Sequence, residues 1–199
     1  MSIAIDYFFS PQSPWTYLGH ERLAEIAAQA AATINVLPVD LGRVFPVSGG
    51  LPLSKRAPQR QAYRLVELKR WSDHLRIPIH VQPKFASAPP DEGARWVLAA
   101  LEHGQAAGLA MAGGVLRARW LEEHDTADPA TLRYVAHHIG LDADALAARA
   151  AAPEIQARYD EATQKAIDAQ VFGAPWFVYR GEPFWGQDRL DFLARALAK

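Results

Sequence analysis

Ser13-Pro14-Trp15-Thr16-Tyr17 stands directly before a long run of helix-forming residues. A serine there has two chemistries open to it. Its oxygen can cap the helix by accepting from a first-turn backbone N–H. Its proton can be donated to an anion, which the free N–H groups and positive dipole end of the helix also favour. A thiolate at such a place has a lowered pKa. The chain contains no cysteine, so any thiol it uses must be borrowed. The same absence excludes disulfides, Cys-ligated zinc and iron–sulfur clusters. Ser10, in Ser10-Pro11-Gln12, is a competing serine, but it precedes the helix start and ranks second. Late in the chain, Ala174-Pro175 opens a strand-like run, and Gln187-Asp188 precedes the last helix. An aspartate near a helix start suits an ammonium group, or serves simply as a cap.

Other candidate motifs fail on spacing. Gly49-Gly50-Leu51-Pro52-Leu53-Ser54-Lys55 lacks the glycine that must precede the lysine of a phosphate loop. His137 and His138 are adjacent on one helix and do not share a face, and no H-E-x-x-H occurs. No metal site is expected.

The composition narrows the partners. The 199 residues carry 21 basic and 22 acidic side chains, a balance unlike that of a nucleic-acid or membrane-surface binder. No apolar run reaches the roughly 18 residues needed to span a bilayer. The opening MSIAIDYFF has no basic region and no A-x-A-like cleavage site, so a cytoplasmic protein is expected. Basic residues nevertheless gather between 46 and 85, where Lys55, Arg56, Arg60, Arg64, Lys69, Arg70, Arg76 and Lys84 face only Glu67 and Asp73. Such a cluster is either a solvated helix face or a funnel for a small anion.

The elements that position these residues follow from pattern. Residues 2–9 read as a buried strand, Pro14 onward as a helix with Ser13 as cap, and 33–39 as a second strand, a right-handed β-α-β opening. Residues 44–58, rich in Gly and Pro, read as a long loop. Helices are expected over 59–75, 92–106, 108–123, 129–139, 142–150 and 153–169, with Asp128-Pro129, Asp142 and Pro153 as starts. Residues 174–179 and 183–185 read as a hairpin with an edge strand, and Asp188 opens the last helix. The fold class is therefore α/β, a thioredoxin-like fold with a large inserted α-helical domain. Residues 1–43 and 161–199 form the first part and 44–160 the insertion.

SPWTYLG near the start, with VFGAPWFV and FWGQDRLDFL near the end, resembles the 2-hydroxychromene-2-carboxylate isomerases. These group with kappa-class glutathione transferases and the DsbA-like branch of the thioredoxin superfamily. The resemblance spans nearly the whole chain, including ELKRW followed by IPIH. It implies glutathione as cofactor and a cis peptide before Pro175. It places Ser13 at the thiol, Ala174 and Pro175 at the glutathione backbone, and Gln187 and Asp188 at the γ-glutamyl end, with Trp15 lining the cleft. Family members often carry an asparagine where Ser54 stands, and Ser54 is the shorter replacement. Arg43, Lys55 and Arg56 would hold the carboxylate of a small aromatic or unsaturated acid. The implied reaction interconverts 2-hydroxychromene-2-carboxylate and trans-o-hydroxybenzylidenepyruvate. A broader glutathione transferase and a non-enzymatic peptide-binding module are the alternatives. Relatives are commonly dimers, so a homodimer is expected.

Overall fold

The structure, a computed structural model, describes residues 3–199. Ser2, the first residue of the expected opening strand, lies outside the described residues. Strand β1 (Ala4–Phe9) pairs in parallel with β2 (Thr33–Pro38), from Ala4 opposite Thr33 to Phe9 opposite Pro38. Helix α1 (Pro14–Gln29) crosses between them. Strand β3 (Trp176–Tyr179) runs antiparallel to the other side of β1, with Tyr7 opposite Phe177, and β4 (Glu182–Trp185) closes a hairpin on β3. The sheet order is β2-β1-β3-β4. Pro183 falls on the edge strand, where a missing N–H is tolerated.

Residues 44–58 are not all loop. Leu41–Ser48 form a helix, α2. Its start is set by Asp40, whose Oδ1 accepts from the Gly42 N–H at 2.7 Å. Pro46 sits inside it, where only one backbone donor is lost, and Gly49 ends it in the left-handed region. A single 3₁₀ turn follows at Leu53–Lys55. Then come α3 (Pro58–Leu75), α4 (Asp91–Ala100), α5 (Gln105–Trp120), α6 (Pro129–His138), α7 (Ala143–Ala150) and α8 (Pro153–Asp168). The break between α4 and α5 comes at Gly104, earlier than expected, because only glycine readily takes its φ of 112°. A 3₁₀ turn at Gln187–Arg189 leads into α9 (Leu190–Leu197).

Strand alternation divides the core. Ile5, Tyr7 and Phe9 join Met111, Val115, Phe177 and Leu193 in one cluster. Phe8 points the other way, to Val44, Ala166, Val171 and Trp176. The first cluster runs without interruption from the sheet into α4, α5 and α6. Both expected domain limits, after 43 and after 160, fall inside helices α2 and α8. A continuous helix packs as one rod, so neither limit is a boundary in space.

His20, on α1, is 4% exposed and bridges the two layers. Its Nε2 lies 3.1 Å from the Leu109 carbonyl, which only accepts, so Nε2 carries the proton. Nδ1 then accepts from the Tyr7 hydroxyl at 3.2 Å. Burial lowers the His20 pKa from 6.5 to about 4. The folded protein thus keeps His20 neutral while the unfolded chain protonates it. The stability this gives is full above pH 6.5 and is lost as pH falls from 6.5 towards 4, by about 3 kcal/mol. Urea denaturation at pH 7 and pH 4.5 measures the loss, and His20→Gln should flatten that part of the profile.

Candidate active site

Ser13 is the N-cap of α1 and is nearly buried. Its oxygen accepts from the Thr16 N–H at 3.1 Å, and its proton goes to the Ala174 carbonyl at 2.9 Å. The hydroxyl is therefore both cap and donor. Pro14 has no N–H, and among the described residues nothing accepts from the Trp15 N–H, which sits in the first turn beside the serine. The first turn holds no acidic side chain, so the positive end of the helix is not neutralised locally. Trp15 itself is half-buried.

The loop before Ser13 is held by the buried interior. The Ser13 N–H donates to the Ser10 carbonyl at 2.9 Å. Ser10 is 1% exposed and its hydroxyl lies 3.4 Å from the Gln12 nitrogen, so it faces inward and belongs to the turn. Gln12 Nε2 donates to the Ala88 carbonyl at 2.7 Å. Arg119, on α5, donates through Nη2 to the same carbonyl at 2.6 Å and to Phe85 at 3.0 Å. Arg119 is 1% exposed, and burial pulls its pKa down to about 10. A guanidinium thus fastens the proline-rich segment before α4 to the turn that presents Ser13. Gln12, Ala88 and Arg119 are invisible as site residues in the sequence, because no local pattern couples positions so far apart.

On the opposite wall, the Ala174-Pro175 peptide is cis. The Pro175 carbonyl accepts from Gly186 at 2.9 Å, which ties this loop to the segment bearing Gln187 and Asp188. The two residues of that pair part ways. Gln187 is 1% exposed and its Oε1 accepts from Arg22 of α1 at 2.9 Å. Its side chain is packed under α1. Asp188 is exposed, with Arg189 3.2 Å away. Gly19 permits this packing, since a Cβ there would lie 2.8 Å from the Gln187 Cβ.

The expected carboxylate ligands lie on α2 and at the turn that follows it. Arg43, on α2, is exposed and pairs with Asp160 of α8 at 2.7 Å. Ser54 and Lys55 are exposed on the 3₁₀ turn, and Arg56 follows it, half-buried. Burial and then the charge of Arg60 lower the Arg56 pKa. A groove of about 900 Å³ lies elsewhere, lined by Tyr17, His20, Leu109, Gly113 and Tyr134. Its buried titratable group, His20, is bonded on both nitrogens.

No helix of the described residues is long and apolar enough to cross a membrane. A family model described as DSBA-like thioredoxin domain matches residues 4–198. A 2-hydroxychromene-2-carboxylate isomerase of Sphingobium xenophagum is 31% identical over 97% of both chains. The human glutathione S-transferase kappa 1 is 26% identical, over 98% of this chain and 91% of its own. A solved structure of a 2-hydroxychromene-2-carboxylate isomerase superposes with a TM-score of 0.82 at 28% identity, covering 98% of this chain and 94% of that one.

The Gly19 contact is testable. Alanine is the better helix former by about 1 kcal/mol, yet here its methyl would strike the Gln187 Cβ at 2.8 Å. Gly19→Ala should therefore lose about 1–3 kcal/mol net, read by denaturant unfolding.

Proposed function

The chain belongs to the 2-hydroxychromene-2-carboxylate isomerase family, within the DSBA-like thioredoxin domains, and on that premise we propose that it is a glutathione-dependent isomerase of an unsaturated ketoacid. The pair 2-hydroxychromene-2-carboxylate and trans-o-hydroxybenzylidenepyruvate, or a close analogue, is the proposed substrate and product. The observation that carries this reading is the Ser13 hydroxyl, set at the start of α1 and bonded to Ala174 across the cleft in a chain without cysteine.

The residues present fit glutathione. The tripeptide offers a thiol, a backbone N–H and carbonyl at its cysteine, an ammonium group and two carboxylates. Facing these are a hydroxyl donor at Ser13, the first-turn N–H of Trp15, the carbonyl of Ala174 and the exposed carboxylate of Asp188. Bound glutathione would supply a thiolate that adds to the conjugated double bond, permits rotation and leaves again unconsumed. Ser13 has one proton, and it rests on Ala174. A ligand N–H donated to the Ala174 carbonyl would release that proton to turn towards sulfur. The Trp15 N–H and the helix dipole would add to the same stabilisation. Ser13 thus donates and does not attack. Gln187, locked by Arg22, holds the backbone that presents Asp188 to an ammonium group.

The likeness to a kappa glutathione transferase favours a second reading, in which the adduct is released. Stoichiometry separates the two, since an isomerase returns all of its glutathione. Ser13→Ala should lower glutathione-dependent kcat/KM roughly 100-fold, the usual scale for losing one preorganised donor. Steady-state kinetics on the ketoacid measure it, and full turnover in that variant would remove Ser13 from the mechanism.

A further inference from the structure

Arg119 is a buried cation with little to balance it. It lies on α5 and is 1% exposed. Its Nη2 donates to the Ala88 and Phe85 carbonyls at 2.6 and 3.0 Å. Its Nε and Nη1 are buried and have no partner among the described residues. Asp125 attracts it from nearby, but the Asp125 Oδ1 accepts from the Ala127 N–H at 2.9 Å. Burial lowers the Arg119 pKa only to about 10, so the guanidinium stays charged at neutral pH. A buried charge without an ion pair is expensive, and an apolar side chain of similar volume in its place is often neutral or stabilising. Stability is therefore a poor reason for a guanidinium here.

What Arg119 holds is a segment that packs little by itself. Residues 84–87 are exposed and belong to no helix or strand. The Ala86 and Ala88 N–H groups donate to the Pro83 and Phe85 carbonyls at 3.2 and 3.1 Å, bonds internal to the segment. The Lys84 N–H donates to Glu123 Oε1 at 3.2 Å, at the surface. The two bonds from Arg119 tie the segment to the core. Its far end meets the turn that presents Ser13 at two points. Gln12 Nε2 donates to the same Ala88 carbonyl, at 2.7 Å. Gly93, in the first turn of α4, stands against Pro11: a Cβ there would lie 3.7 Å from the Pro11 Cβ. The turn itself closes with the Ser13 N–H donating to the Ser10 carbonyl at 2.9 Å. One carbonyl thus couples a guanidinium of the core to the residue next to Ser13.

We infer that Arg119 is a positioning residue for the Ser13 donor: through the Ala88 carbonyl and Gln12 it fixes the turn from which Ser13 aims its proton. This rests on the glutathione-dependent reading and deepens it, since it adds a residue that acts on the reaction only through Ser13. A preorganised donor loses its value when its support loosens, and a misplacement of about 1 Å can cost roughly 100-fold in rate.

Arg119→Met removes the charge and both carbonyl contacts at similar volume. Its Tm should equal or exceed that of the wild type. On the ketoacid, kcat and kcat/KM should nevertheless fall together, about 10- to 100-fold. In a Ser13→Ala background the same change should cost nothing further, because the donor it aims is gone. A kcat within about twofold of wild type in the single variant, or the full loss repeated in the Ser13→Ala background, overturns the proposal. Gln12→Leu cuts the same link from the half-buried side and decides the matter if Arg119→Met does not fold. It should lower kcat with Tm held, and a wild-type kcat in that variant overturns the link. A wild type that neither binds glutathione nor turns over the ketoacid defeats the functional reading instead. Amide hydrogen exchange of the free protein, read by NMR, then tests the positioning without any ligand. Exchange at the Ser13 N–H should quicken at least about 10-fold in Arg119→Met, or in Gln12→Leu, while the paired amides of β1 and β2 hold. Equal protection of Ser13 in wild type and variant overturns the role of Arg119.

Discussion

The hydroxyl of Ser13 donates to the carbonyl of Ala174 at 2.9 Å, joining residues 161 positions apart. Everything near the cleft depends on that contact being possible. It requires α1 to begin at Pro14, directly after β1, and β3 to begin just after Pro175 beside the same strand. The antiparallel pairing of β1 and β3, with Phe8 opposite Trp176, brings the two ends of the chain together. The sheet therefore acts as a ruler between a helix start and a backbone carbonyl.

The supports of that contact lie in the interior. Arg119 and Gln12 converge on one carbonyl, Ala88, and so fasten the turn before Ser13 to the segment leading into α4. On the other side, Gly19 lets Gln187 lie under α1, and Arg22 clamps it. Each support is a polar group made rigid by burial, where an unmade hydrogen bond is expensive. In a chain without cysteine, such rigidity suits the glutathione-dependent reading proposed above. A donor that serves a borrowed thiolate must be aimed in advance, because no covalent bond corrects its position.

The charges show a different organisation. Several arginines are spent on ion pairs that knit helices, such as Arg43 to Asp160 and Arg149 to Glu102. At the start of α3, by contrast, like charges accumulate. The basic stretch that stands out in the sequence is thus unequal in the fold. Lys69 and Arg70 have neighbouring acids, whereas Arg64 has none.

The sequence by itself determined the order of elements and the helix starts. Ser13, Asp128, Asp142 and Pro153 are local signals, read within one turn of chain, and all four mark helix starts in the structure. The late proline, the paired end segments and the lack of cysteine are likewise visible in one dimension. Three features were decided only by tertiary structure. Residues 41–48 fold as α2 although Pro46 and nearby glycines read as loop, because the Asp40 cap and the burial of Val44 outweigh one missing donor. Gln187 and Asp188 are neighbours in sequence, yet one is buried and the other exposed, since α1 covers only the first. Arg43 and Arg64 look alike in the sequence, but α8 offers Asp160 to the first, and among the described residues no acid pairs with the second. The physical reason is common to all three. Local patterns fix which backbone conformations are cheap, whereas burial and pairing depend on what the rest of the chain places nearby.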